Sequence, residues 1–113
     1  KIMQYNPYKN LPLYKMGPVV GRELLAYDED YTVNRLFAPK GGNGPIHKHP
    51  HKQVVYVLKG SGLFTCGGKD FDVKAGDVVQ IESNEEHTFK DIYEDTEWLE
   101  IFTPGREDFK PEQ

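Results

Sequence analysis

The stretch Gly41-Gly42-Asn43-Gly44-Pro45-Ile46-His47-Lys48-His49-Pro50-His51-Lys52-Gln53-Val54-Val55-Tyr56-Val57-Leu58-Lys59-Gly60 carries three of the four histidines in the chain. His47 and His49 stand two residues apart, and on extended backbone such residues project to the same side, so both imidazoles aim at one point. That is metal-ligand geometry, and imidazole serves Zn, Cu, Fe and Ni alike. The pair by itself also has a plainer reading, because surface and hydrogen-bonded histidines are common. Pro50 interrupts the strand period, which places His51 at the mouth of the site, supporting the ligands or facing a substrate rather than joining the ligands. Residues 54–58 are apolar at both parities, so both faces of that strand are expected to be covered, one by the interior and one by another sheet or subunit. A homodimer is the economical cover for so small a domain.

Outward from this stretch, short β-type runs recur at 19–27, 31–38, 54–59, 63–66, 71–74, 78–82, 87–91 and 98–103, punctuated by Gly, Pro, Asp and Asn. Frequent turn signals and no amphipathic segment of helical length make the chain all-β, a sandwich or a barrel. Glu23-Leu24-Leu25-Ala26 is the only helix-like patch. Pro7, Pro12 and Pro18 make residues 1–18 too proline-rich for a helix, and their aromatics make them too apolar for a free linker. An extended N-terminal arm is therefore expected to lie on a body formed by residues 19–113. Gly41-Gly42-Asn43-Gly44 is followed by neither Gly-Lys-Ser/Thr nor a helix, so it is a turn rather than a phosphate loop, and no Gly-x-Ser-x-Gly occurs. Cys66-Gly67-Gly68 reads as strand end and hairpin turn, with Cys66 a buried small residue rather than a catalytic thiol.

A length of 113 residues suits one hydrophobic core. Eleven glycines, eight prolines and 12% aromatic residues fit a turn-rich β protein and not a disordered tail. The net charge of −4, with no cluster of Lys and Arg, sets a phosphate backbone against net repulsion, so nucleic acid is not an expected partner. Cys66 is the single cysteine and residues 1–7 lack the apolar core of a signal peptide, which makes the reducing cytoplasm the expected location. No apolar run approaches the roughly 18 residues of a membrane span, so a soluble protein is expected.

On the run 98–103, Trp98, Glu100 and Phe102 share one face while Leu99 and Ile101 share the other. An acidic residue between two aromatics faces either inward or solvent, and pattern alone does not separate the two. Pro104-Gly105 then turns the chain and presents Arg106, by geometry a bidentate carboxylate binder or the partner of Glu107 or Asp108 in a surface ion pair.

Gly41, His47-x-His49, Gln53 and Gly60 reproduce in spacing the first motif of the cupin superfamily, with Gln53 where glutamate is usual. The second motif is looser: Gly76-Asp77 opens a strand, Glu82 stands for proline, Asn84 for glycine, and His87 falls on the histidine. The chain thus resembles cupins over residues 31–103. The resemblance implies a double-stranded β-helix, or jelly-roll barrel, with a metal held by His47, His49 and His87 and by Gln53 as fourth ligand. The implied cofactor is one divalent transition metal, from among Ni, Fe, Mn, Zn and Co. A neutral amide beside three neutral imidazoles leaves the full charge on the ion, which favours Lewis-acid over redox chemistry. Gln53 has the further reading of a hydrogen-bonding group within a three-histidine site.

Phe102-Thr103-Pro104-Gly105-Arg106-Glu107-Asp108-Phe109 is similar to the Phe-Ser-Pro-x-Arg-Glu-Asp-Phe ending of small single-domain cupins of the KdgF pectin-degradation type. These also carry a His-x-His-x-His-x-Gln first motif and convert 4,5-unsaturated monouronates, released by polysaccharide lyases, into linear keto forms. The resemblance implies that Glu100, where Asp is usual, acts in acid/base catalysis, that Phe102 contacts the sugar, and that Arg106 grips its carboxylate. Trp98 and Tyr56 add walls for a sugar ring, with ordinary core packing as the other reading of each aromatic. Opening a cyclic hemiacetal and converting an enol to a ketone needs a Lewis acid, a proton relay and a cation, which the metal, Glu100 and Arg106 supply. The expected partner is a small sugar-acid substrate. Two functions compete with this one: a cupin dioxygenase on a small enol or diol, and a non-catalytic sugar- or metabolite-binding cupin.

Overall fold

The computed structural model describes residues 2–16 and 20–111. Among the described residues nine strands follow one another: β1 (Leu13–Met16), β2 (Val20–Tyr27), β3 (Thr32–Ala38), β4 (Lys52–Lys59), β5 (Ser61–Cys66), β6 (Lys69–Lys74), β7 (Val78–Ile81), β8 (His87–Ile92) and β9 (Thr96–Thr103). They form two antiparallel sheets, one in the order β1-β2-β3-β9-β4-β7 and one in the order β6-β5-β8. All eight strand runs expected from the sequence are present; Val19, at the head of the first, and residues 17 and 18 of the expected arm lie outside the described residues. The arm segment also contributes a strand, β1, which pairs with β2 from Leu13↔Glu23 to Met16↔Val20. The helix-like Glu23-Leu24-Leu25-Ala26 lies within β2, where pairing to β3 on one side and β1 on the other overrides local propensity.

The register sorts the inner face of the larger sheet into layers. Val57, Trp98, Leu36 and Arg22 are consecutive cross-strand partners, as are Val55, Glu100, Asn34 and Leu24, and then Gln53, Phe102 and Thr32. Directly opposed residues of an antiparallel pair point to the same side, so these layers face one interior. The smaller sheet answers with Phe64, Val73, Phe89 and Ile92, which join Leu36, Val55, Val57 and Trp98 in one buried cluster. On β4 the expected covering of both faces is found on the inner side only. Val55 and Val57 are buried, whereas Tyr56 and Leu58 on the outer side are 38% and 39% exposed.

Two motif glycines have positive φ for different physical reasons. Gly41 (φ 84) opens onto free space, whereas a side chain at Gly60 (φ 90) would run into Thr96 and the Asp95 carbonyl. Where the second motif departs from its usual residues, local chemistry compensates. Asn84, in the glycine position, adopts φ 62, the left-handed region that asparagine tolerates best after glycine. Glu82, in the proline position, donates its backbone N–H to the Glu85 carboxylate at 3.0 Å, a bond that proline lacks the hydrogen to make.

Substituting these glycines should separate strain from crowding. Gly41→Ala is expected to destabilise by about 1 kcal/mol, the left-handed penalty alone, and Gly60→Ala by roughly 3 kcal/mol or more because a clash with backbone is added. Thermal and urea unfolding of the two variants measures the difference.

Candidate metal centre

The centre is built by a single backbone bridge. His47, in the loop before β4, pairs with His87 at the start of β8, the two exchanging N–H···O bonds of 3.2 and 2.9 Å. The Asn84 N–H donates to the His49 carbonyl at 2.7 Å, which fastens the next ligand to the turn before β8. His47, His49 and His87 therefore converge from two segments far apart in sequence, with one potential ligand atom from each lying within 4.8 Å of the others. His49 and His87 are buried and His47 is exposed.

Each of the three rings is fixed through the same atom. Nδ1 of His47 lies 2.9 Å from the Pro45 carbonyl, Nδ1 of His49 3.0 Å from the His51 carbonyl, and Nδ1 of His87 2.7 Å from the Glu85 carbonyl. A carbonyl only accepts, so each Nδ1 carries the proton and each Nε2 is left with a bare lone pair. Ligating histidines characteristically donate their other ring N–H in this way. Nε2 of His87 is buried with no partner, and Nε2 of His49 lies 2.8 Å from Oε1 of Gln53, acceptor facing acceptor. A cation between these atoms removes both faults, so the residues fit a divalent transition metal held by three imidazoles, with the Gln53 amide oxygen beside them.

A cavity of about 340 Å³ opens against the histidines. Its apolar wall includes Leu36, Phe89 and Trp98, and His47, His87, Gln53 and Glu100 supply its polar side. The structure thus resolves the ambiguity of Glu100 in favour of the inward face. Trp98 Nε1 donates to Glu100 at 3.2 Å. Burial pushes the Glu100 carboxyl above the usual range, against the hydrogen bond from Trp98 and the charges of His47, Arg106 and Arg22.

The remaining sequence-selected residues lie outside the cavity lining. Phe102 is buried against His49 and His51, at ring separations of 5.4 and 6.5 Å, outside the lining of the cavity. Arg106 is paired within the chain: Nε and Nη2 donate to the two oxygens of Asp108 at 2.9 and 2.7 Å, and the guanidinium lies over the rings of Phe102 and Phe109. His51 sits beside Phe102 and is half-buried, with its pKa lowered by burial and by Arg106. Tyr56 lies on the outer side of β4 and is not brought to the site, because it alternates with the inward Val55 and Val57. The sequence reading passed over Arg22 and Asn34, which are buried on the inner face beside Glu100. Their signal was parity: Arg22 pairs with Leu36, and Asn34 lies two residues before it.

Elemental analysis should find about one divalent transition metal per chain, lost in the His47→Ala, His49→Ala double variant and weakened less by Gln53→Ala, since an amide oxygen is the poorer ligand. Without metal, burial pushes His87 down to about 4, from an ordinary value of 6.5. Between these values the unfolded chain binds a proton that the folded chain refuses, so the metal-free protein should lose stability as pH falls through this window and hold it above. Melting temperatures of chelator-treated protein from pH 7 to 4 measure the slope, which His87→Gln should flatten.

Comparison with known proteins agrees with this geometry. The cupin domain family matches residues 35–102. Over 99 residues the chain is 29% identical to the pectin degradation protein KdgF of Dickeya dadantii, covering 87% of this chain and 90% of that protein. It is 37% identical over 79 residues to an oxalate-binding protein of Thermotoga maritima, covering 66% of this chain and 65% of that one. The structure of KdgF from Halomonas sp. superposes with a TM-score of 0.88 at 20% identity over 96% of this chain and 100% of that chain, a likeness of fold. Since the match runs from within β3 almost to the end of β9 and takes in every strand of the smaller sheet, this chain belongs to the cupin domain family.

Proposed function

We propose that this cupin opens and tautomerises 4,5-unsaturated monouronates to their linear keto forms. The observation that carries the reading is the placing of one ionisable carboxyl, Glu100, on the wall of the cavity into which His47 and His87 also face. The likeness to the KdgF of Dickeya dadantii supports the substrate class.

The reaction is an isomerisation. The proton on the anomeric oxygen leaves, the bond from C1 to the ring oxygen opens, and a proton arrives at C4 as the C5 oxygen becomes a ketone. Glu100 takes the first proton and delivers one to C4; burial, which raises its pKa, makes it a competent acid as well as a base. His47, His49 and His87, with Gln53, would hold a divalent metal, which when bound would supply Lewis-acid polarisation of a substrate oxygen. Trp98 does two things: its indole orients the Glu100 carboxyl, and its ring walls the cavity. A second reading, binding of a small carboxylate without turnover, draws support from the likeness to the oxalate-binding protein.

Loss of ultraviolet absorbance from the monomeric product of a polysaccharide lyase tests the reaction. Wild-type protein should outpace buffer, and Glu100→Gln should lower kcat by roughly a hundredfold or more with little change in KM, because the amide keeps the shape and cannot move a proton. Metal-loaded wild type no faster than buffer removes the reaction and leaves the binding reading.

A homodimer belongs to the same proposal. Tyr56 and Leu58 of β4 and Val78 of β7, 56% exposed, lie on neighbouring strands at one end of the larger sheet, and a second copy covers them. Light scattering should report twice the chain mass of 13.0 kDa; the monomer mass would refute it.

A further inference from the structure

We propose that Arg22 and Asn34 form a carboxylate-binding subsite on the inner wall of the barrel, and that this pair, rather than Arg106, recognises the acid group of the ligand. The inference deepens the reading above and rests on it for the substrate.

Arg22 is 7% exposed and Asn34 is fully buried. The Arg22 Nη1 donates to the Asn34 Oδ1 at 3.3 Å, and among the described residues neither side chain makes another hydrogen bond. Arg22 Nε and Asn34 Nδ2 are both buried donors without a partner. Among the described residues Arg22 makes no salt bridge, although a guanidinium keeps its charge in any environment and a buried charge is tolerable only when paired. Its guanidinium lies over the rings of Tyr14 at 4.5 Å and Phe109 at 4.2 Å. Rings attract the cation and accept no in-plane hydrogen bond, so the edge of the guanidinium stays unclaimed.

The sheet does not lack acids for its arginines. On the opposite face Arg35 bonds both Glu23, at 2.6 Å, and Glu97, at 2.9 Å. After β9, Arg106 has its fork filled by the exposed Asp108. Glu100, the acid nearest in register, takes its hydrogen bond from the Trp98 indole and acts on Arg22 through its charge alone, as Asp108 does, without bonding the guanidinium. The pair is also well placed. Neither residue is itself in the cavity lining, but Arg22 is the cross-strand partner of Leu36 and Asn34 that of Glu100, and both partners line it, as does Val20, two residues before Arg22 on the same strand. A carboxylate supplies acceptor oxygens for these unpartnered donors and a negative charge in direct hydrogen-bonded contact with the guanidinium.

Calorimetric titration of the metal-loaded protein with galacturonate and with galactose isolates the acid group. Wild type should prefer galacturonate, and Arg22→Gln should reduce that preference roughly ten- to hundredfold while leaving galactose affinity unchanged. Asn34→Asp provides Arg22 with an internal counter-ion, so it should lose the preference equally while melting no lower than wild type; it decides the matter if Arg22→Gln does not fold. Arg106→Ala should retain the preference. Folded Arg22→Gln or Asn34→Asp with wild-type preference, or loss of the preference in Arg106→Ala alone, overturns the subsite, as does a wild type indifferent to the acid group. Arg22-dependent preference without turnover of the unsaturated uronate upholds the subsite and sinks the ring-opening reaction. Oxalate bound more tightly than galacturonate, again through Arg22, upholds the subsite for a small dicarboxylate.

Discussion

The mutual hydrogen bonds between the backbones of His47 and His87 are the constraint on which the site depends. They join the loop that leads into the larger sheet to the first residue of a strand in the smaller one, at the point where the two sheets meet. Two residues paired in this way cannot drift apart without losing both bonds, so the spacing of the imidazoles is set by main chain rather than by side-chain packing. The carbonyls that fix the rings come from Pro45, His51 and Glu85, each two residues from the histidine it orients. Orientation is therefore a local property of the same loops that make the bridge.

Polarity is distributed unevenly around the interior. The smaller sheet contributes Phe64, Val73, Phe89 and Ile92 to the core and the polar His87 and Thr88 at the start of β8, whereas the larger sheet carries Arg22, Thr32, Asn34, Gln53 and Glu100 inward among its apolar residues. Burying such groups costs a few kcal/mol each unless hydrogen bonds compensate. Some are compensated internally, as Glu100 is by Trp98, and others, notably His87 Nε2 and the Arg22 edge, are not. The uncompensated groups cluster around Glu100 and the histidines, which is where a protein that binds something from solution is expected to leave bonds unmade.

Much of this was legible in the sequence, for reasons that particular residues make plain. The strands were readable because β-type runs are short and bounded by Gly, Pro, Asp and Asn, and the histidines because parity on extended backbone and motif spacing agree. Glu100 was undecided: one strand's alternation shows which residues share a face, and only the neighbouring strands show which face is inside. Of the two neighbouring acids offered to Arg106, Asp108 fills its fork, while Glu107 accepts from the Tyr27 hydroxyl. Tyr56 was suggested by its motif neighbourhood, but alternation on β4 turned it outward. Arg22 stayed hidden because its strand looks helix-like in isolation, and its inward aim is a property of its pairing with Leu36.

The layered register separates two kinds of residue by strand. The imidazoles come from the loop before β4 and from β8, while Glu100, Asn34 and Arg22 come from β9, β3 and β2. A change at any of these last three positions alters what the interior offers a ligand and leaves the bridge between His47 and His87 untouched. The barrel is in that sense divided between a fixed histidine frame and an exchangeable jig. Descendants of one ancestral chain can take up new ligands by point substitutions on three adjacent strands, and a designer can vary the same three positions while the ion-holding loops remain fixed.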